Sequence, residues 1–272
     1  MIIDGKKIAG QILAELKKEI IEKNLKLNLA IILASDNAGL KKFVNLKAKA
    51  AQEIGIGCSV HEFPENISIK ELVKRVKEIV ADKANDGVII ELPLPKHVDA
   101  QTVLNEISLK KDVDVLSQEA QNIFFGGQFN VLPPAVQAVK TVLELCQINP
   151  QNKKVAIFGQ GLLVGQPVAF WLEKIGAEVS RIDEFTIHPE NYSRQADIVI
   201  SGVGKPEFIT GDMIKDGATI IDFGYENKGG TIKGDFDFNS VSPKAGLITP
   251  VPGGIGPVVV VSVLKNLIEL NK

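Results

Sequence analysis

The sequence predicts an α/β protein made of two α/β domains. Two observations carry that expectation. Short apolar strands alternate with amphipathic helices through the first hundred residues, the pattern of a parallel sheet joined by right-handed crossovers. A second series, across about 135 to 250, is organised around Lys153-Lys154-Val155-Ala156-Ile157-Phe158-Gly159-Gln160-Gly161-Leu162-Leu163-Val164-Gly165, where an apolar strand enters a glycine-rich turn.

Taken in order, residues 8–21 have apolar side chains at helical spacing with lysines between them, and 27–33 read as a buried strand. Residues 38–54 read as a helix with Phe43, Leu46, Ala50 and Ile54 on one side and Gly55 as its stop. A strand follows at 57–63. Ser68-x-x-Glu71 is a capping box that opens a helix to Ala81. Residues 87–92 form a strand, apolar apart from Glu91, which Pro93-Leu94-Pro95 ends, and 98–107 read as a helix. From 111 to 130 the pattern reads as loop, and Pro134 opens a helix to Cys146. Beyond the turn come a helix at 168–175, strands at 177–182, 196–201 and 218–223, and a last helix at 258–270.

Composition excludes several classes. A formal net charge of −2 over 272 residues makes no electrostatic case for nucleic acid or an anionic membrane. Asp4 stands early in a start that lacks an apolar leader, and the longest apolar run, 257–264, is too short to span a bilayer. Cys58 and Cys146 are isolated, so neither a disulfide nor a metal site is expected and a reducing cytoplasmic setting fits. His61, His97 and His188 do not cluster.

Gly159 and Gly161 let the backbone turn tightly and approach a bound group that a Cβ would block. The helix after them offers unpaired N–H groups and a positive dipole end, a seat for a pyrophosphate, so the second domain reads as Rossmann-like and dinucleotide-binding. Its G-x-G-x-x-x-G spacing is one residue longer than the general fingerprint, and an ordinary strand–turn–helix joint competes with that reading. Lys47 lies one turn after Phe43 on the core-facing side of its helix, either snorkelling or chemically active. Glu91 ends an apolar strand, where parallel sheets place their clefts, or simply marks the strand's exit from the core. Lys111-Asp112-Val113-Asp114 reads alone as a solvated acidic turn. Residues 250–257 hold three prolines and three glycines in eight positions, a constrained path suited to contacting a ligand.

In combination these segments resemble the methylenetetrahydrofolate dehydrogenase/methenyltetrahydrofolate cyclohydrolase family over nearly the whole chain. Residues 87–95 are similar to its GxxVQLPLP signature, 111–114 to KDVDG, 164–167 to IVGxP, 203–206 to VGKP and 250–257 to TPVPGGVGP. The resemblance implies a folate-binding catalytic domain at 1–133, joined by a returning helix at 257–272, an NAD(P)-binding domain at 134–256, and an active cleft between them. It further implies oxidation of 5,10-methylenetetrahydrofolate with NAD or NADP, then hydrolysis to 10-formyltetrahydrofolate, by a cytoplasmic homodimer. Lys47, Glu91 and Asp114 take the catalytic positions in that comparison. Phe43, Leu92, Pro252, Gly253, Gly254, Ile255 and Gly256 fall on the folate side. Gly159, Gln160, Gly161, Gly165, Asp183, Gly204 and Tyr225 fall on the cofactor side, and no metal is implied.

Several residues depart from the family's pattern. Phe43 stands for the motif tyrosine, so a ring remains to stack but its hydroxyl is gone. Leu40 stands where serine is usual, and Val115 replaces the glycine after the aspartates. Glu91 stands for a glutamine. A carboxylate there favours the lysine ammonium, which predicts that Lys47 is a poor general base and that hydrolysis is weak or absent. Gln160-Gly161 replaces an Arg-Ser pair suited to a 2′-phosphate, while Asp183, 24 residues beyond Gly159, can accept from a ribose 2′-hydroxyl and repel a phosphate. NAD is therefore favoured over NADP. The same departures leave a second reading, a non-catalytic relative that binds folate, nucleotide or a protein.

Overall fold

The computed structural model describes residues 1–228 and 230–272, Lys228 by its backbone alone. The chain divides into two compact units, Gly10–Pro134 with Val260–Lys272, and Met1–Ala9 with Ala135–Val259. The first nine residues, expected in the N-terminal domain, thus belong with the second unit.

Helix α1 (Gly5–Glu22) leads into the first unit, which continues with β1 (Asn28–Leu33), α2 (Ala38–Glu53), β2 (Gly57–Glu62), α3 (Ile69–Ala81), β3 (Gly87–Ile90), α4 (Ala100–Leu104) and α5 (Gln118–Phe125). Its sheet is parallel in the order β2-β1-β3, with Ile32 opposite both His61 and Ile90. Strand β3 is apolar and buried throughout, and β1 is so after its half-buried first residue, Asn28, as strands covered on both faces must be. Asn37 caps α2 by accepting from the Gly39 and Leu40 N–H groups, and Ser68 caps α3 by accepting from that of Glu71. The buried stripe of α2 is Val44 and Ala51, extended by Ile54. Leu46, expected on it, is 46% exposed, because it lies about 200° round the helix from Val44.

Two further expectations change here. The helix expected at 98–107 is only the five residues of α4, capped by Asp99, and α5 occupies part of the segment expected as loop. Ser117 opens α5 by accepting from the Ala120 N–H. Its eight residues are too few to display a helical period against a glycine-rich background.

The second unit contains α6 (Pro134–Leu145), β4 (Lys154–Phe158), α7 (Gly165–Lys174), β5 (Glu178–Ile182), α8 (Glu190–Ser193), β6 (Ile198–Ser201), β7 (Thr219–Asp222), β8 (Glu226–Lys228), β9 (Thr231–Lys233), α9 (Phe238–Val241), β10 (Leu247–Ile248) and the start of α10 (Ile255–Leu270). Its parallel sheet runs β10-β7-β6-β4-β5, so chain order reverses at β4 and leaves a crevice at that strand's carboxyl end. The β8–β9 hairpin and β10 had no counterpart in the sequence pattern, each being two or three residues long.

The N-terminal segment extends this sheet. Ile2 bridges Ile248 in parallel, the Ile3 N–H donates to the Ile248 carbonyl at 2.9 Å, and the Ile248 N–H donates to the Met1 carbonyl at 2.9 Å. Two residues on, the Gly5 N–H donates to the Gly253 carbonyl at 2.9 Å, while the Gly254 N–H closes a turn on the Pro250 carbonyl at 2.7 Å. A Cβ on Gly5 would collide with the Gly254 carbonyl, so only glycine fits at this crossing. The Pro-Gly run is therefore shorter as a loop than expected, since Ile255 and Gly256 already belong to α10. Gly5→Ala is expected to destabilise the protein by about 1–3 kcal/mol, as overpacking against backbone does, and calorimetric unfolding measures it.

Candidate functional site

In the first unit, strand β3 ends at Ile90 and the next residue, Glu91, still donates its N–H to the Ile32 carbonyl at 2.9 Å. Lys47 on α2 reaches the same point: its Nζ lies 2.7 Å from Glu91 Oε2, with side-chain exposures of only 13% and 8%. Asp114 is brought in by the segment beside β3, where Val88 bridges Asp112 and donates its N–H to the Lys111 carbonyl at 2.8 Å. Asp112, 1% exposed, turns that segment by accepting from the N–H groups of Leu116 and Ser117. Val115 between them sits at φ 59°, the left-handed conformation a glycine would adopt without strain. Phe43 is half-buried one turn before Lys47, and Leu92 follows Glu91 with a cis bond to Pro93.

Charge state follows from this geometry. Burial works against the Lys47 ammonium, yet the Glu91 and Asp114 carboxylates and the Glu91 hydrogen bond outweigh it and hold the lysine above its ordinary pKa. The direction is the one the carboxylate at position 91 led us to expect. Burial pushes Asp114 the other way for an acid, up to about 6, with Lys47 opposing and Glu91 and Asp112 adding to the rise. The cluster's aspartate is thus carried towards neutral pH. Because its folded pKa exceeds the unfolded value of about 3.9, its favourable contribution to stability is complete below about pH 4 and disappears as pH rises towards 6.

The second unit holds the glycine turn at the carboxyl end of β4. Gly159 has φ 85° and donates its N–H to the Ile182 carbonyl, while Gly202, leaving β6, donates to the Phe158 carbonyl at 3.1 Å. Gly165 opens α7 rather than preceding it, and no side chain caps that helix. A Cβ at Gly165 would strike the Gly159 carbonyl, one at Gly159 would press on Val203 and Gly202, and the space beside Gly161 is open. That cradle of bare backbone below an uncapped helix fits the diphosphate of a nicotinamide dinucleotide.

Around it, Gln160 folds back, its amide nitrogen donating to the Ile157 and Gly159 carbonyls at 3.2 and 3.0 Å and its buried Oε1 without a hydrogen-bond partner. Asp183 ends β5 exposed, accepting from the Thr186 hydroxyl and the Phe185 N–H, bonds that hold it below the usual aspartate pKa. Gly204 is exposed at φ 65° and Tyr225 is half-buried ahead of β8. Pro252, Gly253 and Gly254 lie in this second unit as well.

Residues 3–114 match the family model for the catalytic domain of tetrahydrofolate dehydrogenase/cyclohydrolase, and residues 133–272 that for its NAD(P)-binding domain. The chain belongs to the tetrahydrofolate dehydrogenase/cyclohydrolase family. Within that family it is 42% identical to the bifunctional protein FolD of Mycoplasmopsis synoviae, covering 100% of this chain and 99% of the relative. Among solved structures it resembles the bifunctional FolD enzyme of Campylobacter jejuni at a TM-score of 0.94 with 34% identity, covering 99% of this chain and 98% of the other. A Trypanosoma brucei FolD, complexed with NADP and an inhibitor, matches at a TM-score of 0.94 with 30% identity, covering 99% and 96%.

Two structural anchors were not singled out from the sequence. Asp112 was grouped with Asp114, although it is the aspartate whose carboxylate shapes the turn, and Asp235 went unremarked. Carbon-13 NMR of aspartate-labelled protein should show the Asp114 carboxyl titrating near pH 6, distinct from that of Asp222, which burial raises to about 7. Replacing Lys47 with Met should move the Asp114 midpoint upward, since the lysine lowers it.

Proposed function

We propose that the chain oxidises 5,10-methylenetetrahydrofolate to the methenyl form with a nicotinamide cofactor, and that the Lys47–Glu91–Asp114 cluster governs both this step and hydrolysis of the product. The buried Lys47–Glu91 ion pair is the observation that carries the proposal. A bound nicotinamide supplies the hydride acceptor. Loss of hydride leaves a cationic bridge between two folate nitrogens, and this chain's contribution is electrostatic. Above about pH 6 the cluster sets one ammonium against two carboxylates, a net negative charge that favours a developing cation. One unit charge at about 6 Å is worth about 3 kcal/mol at an effective dielectric of about 20.

Hydrolysis asks for the opposite. Water adding to the methenyl bridge must give up a proton, which an amine can take and an ammonium cannot. Glu91 thus favours oxidation and holds back hydrolysis, without abolishing a base that deprotonates at higher pH. The bifunctional relatives support an active enzyme, and nothing in the geometry favours the non-catalytic reading. Phe43 supplies a ring against the folate, and Asp114 an acceptor for its donors.

For the cofactor, the same reading favours NAD. Gln160 and Gly161 offer no cation to a 2′-phosphate, and Asp183 and Glu184 stand exposed at the end of β5. We also extend to the chain the homodimer that the resemblance implies, which sedimentation velocity tests.

Glu91→Gln keeps a hydrogen-bonding group while removing the charge. It should slow dehydrogenation by up to about a hundredfold and quicken hydrolysis of methenyltetrahydrofolate at pH 7, shifting the pH–rate profile to lower pH. An unmoved profile, read from the methenyl absorbance, would count against the cluster's role. The wild type should bind NAD more tightly than NADP in fluorescence titration, and Asp183→Ser should narrow that ratio about tenfold.

A further inference from the structure

Asp235 lies outside every segment that carries the family resemblance, follows β9 after Gly234, and is 1% exposed. A buried carboxylate is costly unless donors surround it, and the donors here have one origin. Oδ2 accepts from the Ser201 hydroxyl and the Val203 N–H, both at 2.8 Å, and Oδ1 accepts from the Lys205 N–H at 2.9 Å. All three belong to the segment leaving β6 at the switch point, where Gly202 and Val203 lie against Gly159.

Asp235 is itself fixed from behind. Its N–H and that of Phe236 donate to the two oxygens of Asp222 at the end of β7, at 3.0 and 3.1 Å. Its carbonyl accepts from the Ile209 N–H at 2.9 Å. A Cβ on Gly234 would collide with Asp222, so this approach requires glycine. Among the described residues no strand pairs with the loop at 203–205, and a single carboxylate accepts from its Val203 and Lys205 N–H groups.

We propose that Asp235 is a positioning residue for cofactor binding, its carboxylate setting the path of residues 203–205 beside the glycine turn. The inference rests on the reading that this loop faces the dinucleotide. Asparagine has the same shape but only one acceptor oxygen, so it cannot receive all three donors.

The test is calorimetric titration of the full-length protein with NAD, alongside steady-state kinetics and thermal unfolding. Asp235→Asn should raise the Kd and KM for NAD about tenfold while the KM for methylenetetrahydrofolate stays within about twofold. A folded Asp235→Asn protein with wild-type NAD affinity, or with both KM values raised equally, overturns the proposal. Should that variant not fold, Ser201→Ala removes one of the three donors. It should raise the NAD Kd about twofold to threefold, and an unchanged value again overturns the proposal. Gly204→Val separates the two readings. If it weakens NAD binding while Asp235→Asn does not, only the positioning role fails; if it leaves binding unchanged, the cofactor-facing loop fails.

Discussion

A lysine can sit on the buried side of a helix only if something meets its charge, and in the first unit that something is Glu91, 2.7 Å away. Removing one partner of such a pair leaves an uncompensated buried charge at a cost of about 3–5 kcal/mol, so the two positions constrain each other. The constraint reaches the backbone. Strand β3 has to end where its next side chain can turn to α2, and the chain returning at 111–114 must bring Asp114 alongside. Asp112 supplies that turn by gripping two N–H groups, and Val115 accepts a left-handed backbone as the result. The cluster of Lys47, Glu91 and Asp114 is thus also the means by which three segments are held in register.

The second unit works on another principle. Its turn is made of backbone that side chains would obstruct: a Cβ at Gly165 would strike Gly159, and one at Gly159 would press on Val203 and Gly202. What it offers is oriented N–H groups beside a loop held by the Asp235 carboxylate. One unit thus concentrates charge and the other arranges dipoles.

How much of this was legible before the structure varies with the physical signal. The strands β1, β3 and β4 declared themselves as apolar runs, and Ser68 announced α3, because burial and capping act on residues adjacent in sequence. Lys47 stood out on the core-facing side of its helix, although the stripe was misphased at Leu46, whose neighbours rather than its own hydropathy decide its exposure. The role of Asp235 could not be seen, since its donors lie about thirty residues earlier and no periodicity links them. Short elements such as α5, β10 and the β8–β9 hairpin are stabilised by tertiary partners instead of by local pattern. The identity of the pairing at Glu91 was legible through resemblance, and its distance only through structure.

The first five residues bear a load out of proportion to their number. Met1 and Ile3 complete the edge of a sheet whose partner strand, β10, lies some 245 residues away, and Gly5 fits under a turn that forms only once residues 250–254 are in place. Closing contacts of such sequence separation come late, because their loop entropy has to be met before they return anything. Residues 1–5 therefore depend on a distant partner, and any fragment ending before β10 leaves both the sheet edge and the Pro-Gly turn unmade. For this unit, residues 1–5 and 246–254, far apart in sequence, form a single structural element.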